Sequence, residues 1–206
     1  MPPLMRTLGP VLLLVLLAAA PSPASEISLS GAEGHPRTRF PLAVHVPTLE
    51  QAALDSAIRR AVDDWNGVAL ETLGVPAFAR VEQPNQAQIA VTVEPTASER
   101  QMGETKMRFE GHGVIALPIR IAVFEPARRG RTAADALLYQ VLAHELGHAL
   151  GLEHTRDPRS IMCCVSGSID FNDPIARETY VKARRHPDLH SVSAQLRSHY
   201  DRFWGK

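Results

Sequence analysis

Between residues 40 and 126 the spacing of apolar positions changes several times, and each change marks an element. "FPLAVHVP" (40–47) is a short run rich in Val and Leu, as a strand would be. Thr48 and Gln51 then stand at capping-box spacing, and Leu54, Ile58, Ala61, Val62 and Trp65 recur at helical intervals, which predicts an amphipathic helix reaching Gly67. Two strand patterns follow, a weak one in "AFARVE" (77–82) and a clearer alternation in "QIAVTVE" (88–94). A polar stretch, 95–113, separates these from "VIALPIRIAVFEP" (114–126), in which Pro118 divides a strand or marks an edge. The first half therefore predicts a small sheet with one helix.

The second half opens with Thr132, spaced from Asp135 as at a helix start, and "ALLYQVLAHELGHALG" carries the pattern on without a proline. From Thr155 to about Leu189 the chain is rich in Pro, Gly, Ser and Asp, which predicts an irregular segment with a helical turn around "DPIARETYVKARR" (173–185). Val192, Leu196, Tyr200 and Phe203 mark a closing amphipathic helix, with Ser191 placed to cap it. There is no internal repeat. A sheet in the first half followed by helices in the second is an α+β arrangement.

The first residues follow a different pattern. Arg6, the apolar run "VLLLVLLAAA" (11–20) and the small residues Ser22 and Ala24 read as an export signal occupying 1–24 and cleaved after Ala24. An uncleaved anchor is the other reading, but a span needs about 20 apolar residues and Pro10 and Pro21 bracket ten. The expected mature chain is one domain, 25–206, secreted or periplasmic. Removing Arg6 leaves 21 basic against 22 acidic side chains, a formal charge of −1. No bulk field then draws the chain to nucleic acid or to a membrane surface. The basic cluster "ARRGR" (127–131) reads as a solvated loop. The two cysteines of the chain, Cys163 and Cys164, are adjacent, so they form no framework of disulfides and the fold must rest on its core.

Chemistry concentrates in "HELGHALGLEH" (144–154). His144 and His148 are four apart, so on a helix both imidazoles leave the same face and can share one ion. Gly151 is the natural stop for that helix, after which the chain can return His154 as a third ligand. Three imidazoles plus water describe a catalytic zinc rather than a structural one. Glu145, beside the first ligand, can reach a metal-bound water without binding the metal. Histidines merely scattered on a solvated face would not be embedded among Val141, Leu142, Leu146 and Leu150.

"VLAHELGHALGLEHTRDPRSIM" resembles the zinc-binding region of the metzincin metallopeptidases, whose signature joins this long motif to a methionine turn. Thr155, after the third histidine, is most like the matrixin branch, and Met162 matches the turn methionine that lies beneath the metal. The resemblance implies a metzincin-like zincin domain: a small twisted mixed sheet, an N-terminal helix, a central zinc-binding helix and a C-terminal helix. It implies one zinc ion, a protein or peptide substrate, a monomer, and an edge strand that pairs with the substrate backbone, a role that suits "GHGVIALP" (111–118). Three departures stand out. His112 has no neighbouring ligand set for an extra structural zinc or for calcium, no cysteine precedes the motif to mask the metal, and "CCVSG" replaces the residues that usually follow the turn methionine.

The expected function is a secreted zinc-dependent endopeptidase that hydrolyses peptide bonds through a zinc-bound water activated by Glu145. The alternative is a secreted zinc-dependent protein that binds peptides without cutting them, and the intact glutamate argues against it. Cys164 is a candidate regulatory residue, two positions past Met162, where a tyrosine reaches the metal in astacins and serralysins. As a thiolate it could approach the zinc and hold the enzyme inactive. Free thiols, a bond between the two neighbours and an intermolecular bridge stay open. His186 and His190 read as surface residues, and His35, His45, His112 and His199 have no assigned role. Trp65, Phe203 and Trp204 read as packing aromatics.

Overall fold

The computed structural model describes residues 29–95, 102–124 and 132–205, so the leader at 1–24 and the basic cluster at 127–131 lie outside the described residues. Five strands, β1 (Leu42–His45), β2 (Phe78–Arg80), β3 (Ile89–Glu94), β4 (Gly103–Lys106) and β5 (Ile119–Phe124), form one sheet in the order β2-β1-β3-β5-β4. All neighbours run parallel except β4, which pairs antiparallel with β5 at one edge. Ile89 faces Ile119 in register, and Val91 faces Ile121, so one face of the sheet is apolar. That face is buried by helices.

Two helices pack on the sheet and on each other, α1 (Ala52–Leu73) and α2 (Ala134–Ala149). α1 buries Ile58, Ala61, Val62, Trp65, Val68, Ala69 and Leu73, a stripe that continues past Gly67 to the end at Gly74. The expectation that Gly67 ends this helix is therefore corrected: nothing lies near its missing side chain, and the three buried residues beyond it hold the last turns against the core. Nor is there a capping box, because Gln51 makes no side-chain cap bond and the Leu49 amide donates instead to Asp55 Oδ1 at 2.7 Å. Full burial of side chains such as Ile58, Leu138 and Leu142 contributes roughly 1.5–3 kcal/mol each.

Other boundaries moved too. α2 begins behind Ala133 without a side-chain cap, and Thr132 stays outside it. The segment expected to hold a single helical turn contains a full helix, α3 (Pro174–Arg185), capped by Asp173, whose Oδ1 accepts from the Ile175 amide at 2.9 Å. The closing helix α4 (Ser193–Trp204) lies against α1. Ser191 does not cap it, because its Oγ accepts from the Ile161 amide at 3.1 Å.

The largest correction concerns the sheet's edge. Residues 111–113 form a short 3-10 turn, Val114 bridges Gly34, and Ile115 bridges Phe109, so "GHGVIALP" is not the edge strand. That place belongs to β4, drawn from the stretch read as a polar connection. β5 begins only after Pro118. The architecture is otherwise the α+β arrangement expected: a mixed sheet, an N-terminal helix, a central motif-bearing helix and a C-terminal helix.

Candidate functional site

α2 buries almost its whole circumference, including Leu138, Leu142, Leu146 and Ala149, so its two half-buried histidines lie on the one strip facing the cleft. Trp65 Nε1 donates to the Ala143 carbonyl at 2.9 Å and fixes α2 against α1 one residue before His144. The helix ends where the Gly151 amide donates to His148 O at 2.8 Å and the Leu152 amide to Gly147 O at 3.0 Å. Gly151 has φ +86°, and a Cβ there would collide with the Glu33 carbonyl, so both backbone angle and space require glycine. The reversed chain then delivers His154.

The Nε2 atoms of His144, His148 and His154 converge, with separations of 3.0, 3.0 and 3.1 Å. Among the described residues they are the cluster suited to a metal. The chemistry of these donors fits an ion. His144 Nδ1 donates to Ile161 O at 2.8 Å and His148 Nδ1 to Leu152 O at 2.8 Å, so both Nε2 atoms present lone pairs to the same point. Lone pairs facing one another repel unless a cation lies between them. Zinc bound by nitrogens at about 2.0–2.1 Å in a tetrahedral arrangement would space them roughly 3.3 Å apart, close to what is seen. Burial, and next the neighbouring His148, pushes His144 down to about 3, while burial and then His154 take His148 to about 4. Both rings are thus neutral, the form a metal requires.

Met162 is fully buried beneath this helix. A Cβ on Gly147 would collide with Met162 Sδ and approach Trp65, so the missing side chain makes the space the methionine fills. The turn is tied to the chain just past His154, since the Thr155 amide donates to Met162 O at 3.0 Å and the Val165 amide to Thr155 O at 3.1 Å. Cys163 and Cys164 are bonded to each other. Cys164 therefore presents no thiolate here, and it is not among the clustered ligands.

Glu145 is buried next to the triad, and its surroundings were not legible in the sequence. Thr105 Oγ1, on β4, donates to Glu145 Oε2 at 2.6 Å and lies 3.2 Å from the Glu145 carbonyl. Gly103, also on β4, comes so close that a Cβ would sit 2.7 Å from Glu145 Oε1 and from Val141 Cγ1. The edge strand and the carboxylate are thus one unit. Nothing in "GETK" announces it, because the partner is 40 residues away.

Four of the six other histidines separate in two groups. His186 and His190 are exposed, with His190 Nε2 3.5 Å from Glu71 Oε2. His35 is fully buried, its Nε2 2.9 Å from Ala149 O, and His199 is buried beside Tyr200.

Comparison with known proteins agrees with this geometry. The sequence model of the matrixin family matches residues 35–173, more than half of the chain. A stretch of 35 residues is 57% identical to macrophage metalloelastase from Oryctolagus cuniculus, covering 17% of this chain and 8% of that relative. The chain thus matches less than a tenth of that relative's length. With its motif, its mixed sheet and the matched family model, the chain belongs to the matrixin family of zinc metalloendopeptidases.

Proposed function

We propose that this chain hydrolyses peptide bonds within proteins or peptides, with His144, His148 and His154 as the ligands of one zinc ion and Glu145 as general base. The observation that carries the reading is the buried Glu145 carboxylate, oriented by Thr105 beside three convergent neutral imidazoles. Zinc at the three nitrogens would supply Lewis acidity, lowering the pKa of water towards about 7 and polarising the scissile carbonyl. Glu145 accepts the proton of the attacking water and returns it to the departing amine nitrogen. Thr105 holds one oxygen of that carboxylate, which limits its rotation. Met162 packs under the ligand helix, and the Ile161 and Leu152 carbonyls keep two imidazoles in the tautomer that points Nε2 into the site. The outer edge of β4 suits an extended substrate, added antiparallel as a further strand.

Export completes the proposal. The leader at 1–24 would be removed after Ala24 and the single domain 25–206 would act as a secreted or periplasmic monomer, without stable membrane association. No described helix is long and apolar enough to cross a membrane, and a disulfide suits an oxidising compartment. In the regulatory role proposed for it, Cys164 would need reduction to become a zinc-binding thiolate. If Cys164→Ser leaves the response of activity to reductant unchanged, that role is gone.

The test is digestion of labelled peptides with and without a chelator. Hydrolysis that stops with chelator and returns with zinc is expected. Peptide binding without any hydrolysis would instead establish the non-catalytic alternative.

A further inference from the structure

The carbonyls that orient the two helix-borne histidines are held in different ways. His148 takes its acceptor, Leu152 O, from the end of its own helix, four residues on. His144 takes Ile161 O, 17 residues later and outside any helix or strand. Regular structure therefore fixes one acceptor and not the other.

The Ser160–Ile161 peptide, just before that carbonyl, is gripped at both of its polar atoms. Arg184 Nη2, near the C-terminal end of α3, donates to Ser160 O at 2.9 Å, and the Cys163 amide donates to the same oxygen at 3.1 Å. The Ile161 amide donates to Ser191 Oγ at 3.1 Å, and the Met162 amide donates to Ser160 Oγ at 3.1 Å. Cys163 and Ser160 belong to the turn itself, whereas Arg184 and Ser191 reach it from beyond.

Both outside residues are themselves held. The Arg184 guanidinium lies 4.9 Å over the ring of Tyr180, one turn earlier on α3, which limits the swing of a long side chain. No ion pair among the described residues includes Arg184, so its charge acts on a peptide carbonyl rather than on a carboxylate. A hydrogen bond from a charged donor is stronger than one between neutral groups. The Ser191 amide donates to Asp188 O at 3.2 Å, and Leu189 and Val192 on the same short turn are buried. If Arg184 only tied α3 to the domain, any free carbonyl of the turn would serve. The one it takes belongs to the peptide next to the His144 acceptor, and Ser191 takes the N–H of that same peptide.

We propose that Arg184, together with Ser191, is a positioning residue for His144: the two clamp the Ser160–Ile161 peptide so that Ile161 O stays at His144 Nδ1 and Nε2 stays aimed at the metal. The inference deepens the metal-site reading and rests on it. Partners of a ligand's second nitrogen govern how tightly the ligand holds its ion.

The test follows the ring Nδ1 protons of His144 and His148 by nitrogen-resolved NMR in the zinc-loaded chain, with zinc affinity measured by chelator competition. Arg184→Met keeps a long stem and removes the donor. Exchange of the His144 proton with water is expected to rise roughly tenfold, the worth of one charge-assisted hydrogen bond, while that of His148, bonded within its own helix end, stays unchanged. Zinc should be held roughly tenfold more weakly. Arg184→Lys, which returns a charged donor, should recover most of both losses, and Arg185→Met, exposed on the same turn of α3, should cause neither. A general loosening of the fold would instead raise both ring protons' exchange together, and that result overturns the proposal. No change at His144, an unchanged zinc affinity, or an equal effect of Arg185→Met overturns it too. Should Arg184→Met fail to fold, Ser191→Ala, which removes the other outside bond to the same peptide, decides by the same comparison of the two protons. Cleavage of a labelled peptide by the unmodified chain is read separately. A response confined to His144 without cleavage would sink the peptidase reading and leave the clamp standing, and cleavage without that response would do the reverse.

Discussion

Thr105 sets the direction of a carboxylate that the helix alone would leave free to swing. Its hydroxyl is 2.6 Å from Glu145 Oε2, and a hydrogen bond to a charged group contributes about 1.5–3 kcal/mol. Thr105→Val keeps the shape and removes the donor. Its kcat is expected to fall roughly tenfold with KM little changed, and Thr105→Ser to recover most of the loss. Steady-state kinetics on one peptide decide this, and a rise in the KM of Thr105→Val at unchanged kcat would point to substrate binding instead. Glu145 itself was readable, because the motif places it beside His144 within one turn of helix. Thr105 was not, since contact between a four-residue polar strand and a helix 40 residues later leaves no periodic trace.

At the scale of elements, the end of α2 does more than stop a helix. Gly151 turns the chain so that Leu152 O reaches His148 Nδ1 and His154 completes the cluster. Gly151→Ala would impose an unfavourable positive φ and press a methyl group on the Glu33 carbonyl. A loss of about 1–3 kcal/mol in unfolding free energy is expected, together with weaker zinc retention in a chelator competition. Unchanged zinc retention would show that His154 is positioned by other contacts. Gly151 was legible because its role is local. The edge strand was misplaced for the opposite reason: the apolar residues at 114–117 signal burial, and Ile115 and Ala116 are indeed buried, but Val114 bridges Gly34 and Ile115 bridges Phe109 rather than extending the sheet. α1 outran Gly67 because tertiary burial of Val68, Ala69 and Leu73 outweighed one glycine's cost of about 1 kcal/mol.

Across the whole molecule, the segment from Leu29 to His35 is tied to the C-terminal end of α2, to α4 and to the 111–113 turn. His35 Nε2 lies 2.9 Å from Ala149 O, Trp204 Nε1 donates to His35 O at 2.9 Å, and the Gly34 amide donates to Gly113 O at 2.9 Å. Burial, against the contact with Ala149 O and with Arg39 and His199 adding their charges, takes His35 down to about 4. Below about 6.5, the unfolded chain's value, protons bind the unfolded state first. Stability should therefore fall as pH drops from about 6.5 to about 4, by on the order of 3 kcal/mol, and be fully present above that window. Urea midpoints of the zinc-loaded chain would show this slope, and His35→Gln should flatten it; an unaltered slope would assign the effect to other groups. A bound ion also stabilises only the folded chain, so a chelator should lower the thermal midpoint, and an unmoved midpoint would show that the ion adds little to the fold. The α+β class and the order of the helices could be read in advance from apolar spacing. The docking of 29–35 could not, because it depends on backbone contacts that no side-chain pattern records.

The central claim is that one zinc ion and one carboxylate perform the hydrolysis. Its most direct test is a paired measurement on Glu145→Ala: zinc per chain by elemental analysis, and turnover of a labelled peptide against the unmodified chain. One zinc per chain in both proteins, with turnover in the variant reduced by roughly 10² or more, is the predicted result. A variant that binds its zinc and still cleaves the peptide at a comparable rate would contradict it.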